Sequence, residues 1–224
     1  MNNNEIKNYI FDLDGTLVDS SNEILKSLKE AFKKTCYQVD EKKFKANLIG
    51  LPIKEIIKNI APNLDNDEII KKIILIFRAT YDNNTKDSST LYDGIKDVLF
   101  NLKKSGKKLF IATIKPTKPT NRIINKFELN IFEDIYTIDK YENITTKKEM
   151  VEDIIKKYCL KKSETLLVGD SISDIISANE NGIISIAALW GYEKNKNELC
   201  HSSKYQINTI YDLCKIDITE QTHD

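Results

Sequence analysis

Histidine is nearly missing from this chain: its 224 residues hold two, His201 and His223, both near the C-terminus. A multi-histidine metal centre and a histidine-based catalytic triad are thereby close to excluded. Cysteine is scarcely better supplied. Cys36, Cys159, Cys200 and Cys214 stand far apart with no Cys-x-x-Cys pair, which fits reduced thiols better than a zinc site or a disulfide framework. There is no surplus of either charge, since Lys plus Arg and Asp plus Glu both number 34. That balance gives no electrostatic ground for a nucleic-acid or membrane partner. Long apolar runs are absent too. The best candidate, 69–77, is interrupted by Lys71 and Lys72, and the first four residues are polar, unlike a secretion signal. The expectation is a soluble, cytoplasmic protein whose catalysis, if any, runs on carboxylates, hydroxyls and lysines.

What is present centres on Tyr9-Ile10-Phe11-Asp12-Leu13-Asp14-Gly15-Thr16-Leu17-Val18-Asp19-Ser20. Three apolar β-formers running into two carboxylates, then Gly-Thr, predict a buried strand that ends in a polar loop. In open α/β sheets ligands bind outside the carboxyl ends of strands, which is where Asp12 and Asp14 fall. Two acids one residue apart on an extended chain share a face and repel. A divalent cation, or different protonation states, would remove the conflict. A plain solvated Asp-Gly turn remains open at this level, whereas a calcium loop needs a glycine and ligands at positions this spacing does not supply.

After Ser20 the pattern turns helical, with Ile24, Leu25, Leu28, Ala31 and Phe32 at helical spacing and Ser20 or Ser21 as cap. Helices are expected at 41–48, 52–60 and 66–81, and a polar return hinge at 82–89. A stretch without strands inside an otherwise alternating chain reads as an inserted helical domain, 18–88. The α/β body is then 1–17 with 89–224. From Leu91 the alternation resumes. Asp93 can cap a helix through Leu102, and strand 108–112 delivers Thr113 to its carboxyl end. A helix near 119–127 and strand 135–138 follow, and Thr146 with Glu149 forms a capping box for a helix bearing Met150, Val151 and Ile154. Lys147 and Lys148 then sit in a first turn, where a cation opposes the helix dipole by about 0.3–1 kcal/mol. Residues 165–169 form another apolar strand, ending at Gly169-Asp170, and Asp174 opens the next helix. Apolar segments 183–189 and 205–207 complete the sheet, with the loop Trp190-Gly191-Tyr192 between them.

In order and spacing these motifs resemble those of the haloacid dehalogenase superfamily in its phosphatase form, most closely the phosphoglycolate phosphatase-like branch with an α-helical cap. The resemblance spans residues 9 to 192. It implies a doubly wound, Rossmann-like parallel sheet with an inserted all-helical cap that closes over the site. It implies Asp12 as the nucleophile that becomes an aspartyl phosphate and Asp14 as general acid and base. Thr113 binds the transferring phosphoryl, and Lys147 neutralises phosphate and nucleophile. Asp12, Asp14 and Asp170 would hold Mg2+, supported by Gly169 and Asp174. Thr113, Ile114, Lys115 and Lys147, with Gly50 of the cap turn Gly50-Leu51-Pro52, would meet the substrate. Lys115-Pro116 is also seen in that branch.

The function so implied is magnesium-dependent hydrolysis of a small phosphate monoester, acting on a phosphorylated metabolite as a monomer or homodimer, with no nucleic-acid or membrane partner. A sugar phosphomutase, a nucleotidase or pyrophosphatase of the same superfamily, and a non-catalytic metal- or phosphate-binding module are the alternatives. Asp14 speaks against a dehalogenase or phosphonatase, which lack an acid there.

Overall fold

A computed structural model describes residues 5–84 and 88–215. The expected return hinge at 82–89 falls partly outside them, as do the polar first four residues and His223.

The chain divides into two compact units, Asp19–Thr90 and the chain on either side of it. These bounds lie one and two residues from those read in the sequence. The larger unit is built on β1 (Asn8–Phe11), which the chain leaves through β2 (Val18–Asp19) for α1 (Ser21–Lys34), α2 (Ile53–Ile60) and α3 (Asp67–Asp82) of the inserted unit. It returns through β3 (Thr90–Leu91), which pairs with β2 in a two-stranded ribbon. There follow α4 (Ile95–Lys104), β4 (Lys108–Thr113), α5 (Thr117–Lys126), β5 (Asp134–Thr137) and α6 (Lys147–Lys157). Last come β6 (Thr165–Gly169), α7 (Ile172–Glu180), β7 (Ile184–Ala188), α8 (Lys196–Ser202) and β8 (Tyr205–Ile207).

The six-stranded sheet has the order β5-β4-β1-β6-β7-β8, and every pair in it is parallel. The chain therefore starts in the middle, winds outward to β4 and β5, and crosses back to β6 beside β1. This is the doubly wound arrangement, whose switch point lies at β1. Strand alternation divides the core between the two faces of the sheet. Phe11, Leu109, Ile111, Leu166 and Val168 pack with Ile95, Val98 and Leu99 of α4 and Ile123 of α5. Ile10, Phe110, Ala112 and Leu167 pack with Met150, Val151 and Ile154 of α6 and Ala178 of α7 on the other face. Each such buried side chain larger than alanine contributes about 1.5–3 kcal/mol.

Three expectations are corrected. Residues 41–48 form two short 3-10 turns, Glu41–Lys43 and Ala46–Leu48, because only Leu48 of that segment has an apolar side chain buried in the core while Glu41, Lys42 and Lys43 face solvent. The N-cap of α4 is Gly94 at φ 75°, not Asp93, so the backbone turns into the helix without a side-chain cap. Helix α5 begins at Thr117, two residues early, where Thr117 N–H and Oγ1 donate to Asp139 at 2.7 Å each.

In the inserted unit, described by itself, the helices are amphipathic. Asn66 caps α3 by accepting from Glu68 and Ile69 N–H, and Phe77 stacks on buried Tyr81 at 5.4 Å. The carboxylate of Glu23, buried on α1, accepts from Ser88 N–H at 3.1 Å, Ser88 Oγ at 2.9 Å and the Asn84 side-chain amide. Gly50 is exposed in a turn with φ 95°.

Candidate active site

Strands β1 and β6 run side by side, and each ends in a carboxylate. Asp12 follows Phe11, with its N–H donating to Val168 O at 3.0 Å. Asp170 follows Gly169. Both are buried, as is Asp174 in the first turn of α7. Among the described residues, Asp12, Asp170 and Asp174 form a group whose carboxylate oxygens all lie within 4.8 Å of one another. Gly169 makes the approach possible, because a Cβ there would stand 2.3 Å from Asp174 Cβ.

Lys147 enters this group from the start of α6. Its buried Nζ donates to Asp12 Oδ1 at 2.6 Å and to Asp174. Lys148, its neighbour, is exposed and pairs with Glu180 at 3.0 Å. The capping box of α6, in which Thr146 accepts from Glu149 N–H, fixes the register that sends Lys147 rather than Lys148 inward. A second capping box holds Asp174: Ser171 N–H and Oγ donate to its Oδ2 at 3.0 and 2.6 Å.

Three carboxylates share one ammonium here, and the electrostatics follow. Burial pushes Asp12 well above the usual carboxylate range. Lys147 opposes this, and the charges of Asp174 and Asp170 reinforce it. Asp170 is pushed up to about 6 by burial and by Asp174, against the donors Tyr192 N–H and Thr16 Oγ1. Burial alone would lower Lys147, but Asp12 and Asp174 outweigh it and hold the ammonium charged beyond its ordinary range. The buried surplus of negative charge, offered by oxygen donors alone, suits a small hard cation.

Asp14 stands apart from that group. The Lys115 ammonium lies 2.9 Å from both its oxygens, and the Lys115 side chain is 3% exposed. Lys115 N–H donates to Thr113 Oγ1 at 3.2 Å, so the end of β4 brings Thr113 and Lys115 to one place. Ile114 between them is exposed. The loop after β1 turns at Gly15, φ 91°, whose N–H donates to Val18 O at 2.8 Å.

Two residues without a role in the sequence reading contribute. Thr16 Oγ1 donates to Asp170 Oδ1 at 3.0 Å, and Tyr192 N–H donates to Asp170 Oδ2 at 2.7 Å. Thr16 carries a signal, since it follows the Asp-x-Asp-Gly run directly. The Tyr192 contact is made by backbone and leaves none.

The arrangement defines an α/β protein with a carboxylate and lysine site beyond the carboxyl ends of its central parallel strands. The model of the haloacid dehalogenase-like hydrolase family matches residues 9–188, and the chain belongs to that family. Among relatives, the tyrosine-protein kinase PtkA of Mycobacterium tuberculosis is 28% identical over 82% of this chain, which spans only 62% of PtkA's length. Pyrophosphatase PpaX of Anoxybacillus flavithermus is 26% identical, covering 94% of this chain and 96% of its own. Phosphoglycolate phosphatase of Pasteurella multocida is 28% identical over 83% and 86%. A predicted phosphatase from Clostridium acetobutylicum has a solved structure that matches with a TM-score of 0.80 at 28% identity, covering 94% and 97% of the two chains. No helix among the described residues is long and apolar enough to cross a membrane.

Proposed function

We propose that this protein is a magnesium-dependent phosphatase that hydrolyses a small phosphate monoester through an aspartyl phosphate on Asp12. The observation that carries the reading is the buried contact of Lys147 with Asp12 at 2.6 Å beside Asp170. It supports a nucleophile acting beside a fixed ammonium and surplus carboxylates.

Phosphoryl transfer asks for in-line positioning and for positive charge around the phosphoryl oxygens. Asp12 Oδ attacks phosphorus and the ester P–O bond breaks. Asp14 donates a proton to the leaving alkoxide, then takes one from the water that attacks the aspartyl phosphate, restoring Asp12 and releasing phosphate. Thr113 Oγ1 and Lys147 Nζ hold the phosphoryl oxygens through both steps. The carboxylates of Asp12 and Asp170 would hold magnesium, which supplies further positive charge to the phosphoryl group when bound. Asp174, engaged by Lys147 and Ser171, keeps these groups in place. The side chain of Asp14, paired with Lys115, serves the proton transfer, and Asp14 would join Asp12 and Asp170 in holding the cation.

The natural substrate is a small phosphorylated metabolite of the cytoplasm, with phosphoglycolate the first candidate in view of the Pasteurella relative. Inorganic pyrophosphate is the second reading, supported by the end-to-end likeness to PpaX. The test is phosphate release from phosphoglycolate, sugar phosphates, nucleoside monophosphates and pyrophosphate, with magnesium or a chelator, on wild type beside Asp12→Asn. Magnesium-dependent release lost in the variant is expected. Release that persists in Asp12→Asn would overturn the mechanism.

A further inference from the structure

The loop after β7 holds the chain's single tryptophan, and its contacts converge on Asp170. Trp190 Nε1 donates to Thr16 O at 3.0 Å, and Thr16 Oγ1 in turn donates to Asp170 Oδ1 at 3.0 Å. Two residues beyond the indole, Tyr192 N–H donates to Asp170 Oδ2 at 2.7 Å. Both carboxylate oxygens are thus fixed, one by the loop after β1 and the other by the loop after β7, and the indole N–H ties the two loops together. The fit leaves no slack: a Cβ on Gly191 would stand 2.1 Å from Asp170 Cβ, and one on Gly15 2.4 Å from Asp170 Oδ2. The indole also packs on Tyr92, with ring centroids 6.2 Å apart, and Lys196 Nζ donates to Gly191 O at 3.0 Å.

We infer that Trp190 is a positioning residue for the cation site: it locks the two loops that aim Asp170, and its indole reports the cation's arrival. The inference rests on the proposed reading of Asp170 as a magnesium ligand. A carboxylate held by two outer donors binds a cation without reorienting first, and loss of such an outer contact commonly weakens metal binding 10–100-fold. Trp190→Phe keeps a ring against Tyr92 and removes the N–H together with part of the indole's bulk.

The test is calorimetric titration of magnesium into wild type, Trp190→Phe and Thr16→Val, with the indole emission of wild type and Asp170→Asn followed in parallel. Trp190→Phe and Thr16→Val should each bind magnesium about 10-fold more weakly, and in Trp190→Phe kcat at saturating magnesium and KM for the ester should stay within about twofold of wild type. The double variant should weaken binding by less than the product of the single effects, because both act through one carboxylate. Wild-type emission should change saturably with magnesium and that of Asp170→Asn should not. Equal binding constants for wild type and Trp190→Phe would overturn the inference alone. Absence of magnesium binding by wild type would overturn the magnesium reading and this inference with it.

Discussion

Asp12→Asn should abolish turnover and yet make the metal-free protein more stable. Asp170 and Asp174 each place a carboxylate oxygen within 4.8 Å of Asp12. At an effective dielectric constant near 20, each ionised pair repels by about 3.5 kcal/mol, about 7 in all. Lys147, at 2.6 Å, returns about 6 kcal/mol on the same scale. Repulsion and attraction nearly cancel, which leaves the cost of burying an ionised carboxylate, several kcal/mol per ion. The amide escapes most of that cost and still accepts from Lys147. The expected gain is about 1–3 kcal/mol, or about 3–10 °C in Tm for a chain this size. The sign agrees with linkage. A carboxylate whose folded pKa is raised contributes stability below its unfolded pKa and loses it as pH rises through the folded value. Wild type therefore carries the penalty at pH 7 and sheds it as the medium becomes acid. Thermal unfolding in chelator at pH 7 and pH 4, then in magnesium, reads the effect. The variant should melt higher at pH 7, and the gap should close toward pH 4 and narrow when magnesium is added. A variant that melts at or below wild type in chelator at pH 7 would refute the charge accounting.

Asp14→Asn should lower kcat by about 10²–10⁴ while calorimetry still detects magnesium binding. Lys115→Met should destabilise the protein by about 1–3 kcal/mol in denaturant titrations, because it removes the ammonium that pairs with the partly buried Asp14 carboxylate; wild-type stability in that variant would contradict the pairing. At the sheet edge, burial would raise Asp134, but donation by Lys140, Lys157, Tyr158 Oη and Ile135 N–H outweighs it and brings the carboxyl down to about 2. A lowered folded pKa gives stability above the ordinary value near 3.9 that is lost as pH falls toward 2. Asp134→Asn should therefore cost about 1–2 kcal/mol at pH 7, after allowance for solvent screening, and almost nothing near pH 2, as read by chemical unfolding at both pH values.

The parallel sheet was legible because its strands are buried on both faces and read as unbroken apolar runs such as Leu109 to Ala112. Of the site, what showed in the sequence was chemistry fixed by local pattern: Asp12 and Asp170 at strand ends, and Lys147 in the first turn of a capped helix. The pairing of Lys115 with Asp14 spans 101 positions, and no local period encodes it. The Tyr192 contact escapes for another reason, since any residue except proline offers the same backbone N–H. Turn chemistry hid the start of α4, where Gly94 rather than the better-capping Asp93 adopts the needed conformation.

The parallel pairing of β1 with β6 also bears on how the molecule comes into being. Thr16 meets Asp170 across 154 positions of sequence, and the insertion of helices after β1 lengthens the path the chain must close. Pairings so distant form slowly, because loop-closure entropy is spent before any contact rewards it. During synthesis β1 meets its neighbour β4 and the helix α4 first, and its other edge stays unpaired until β6 has left the ribosome. The proposed cation site is therefore among the last features to form. A nascent chain has no preassembled trap for divalent ions, and a chain cut before β6 keeps its first aspartate motif without acquiring the site.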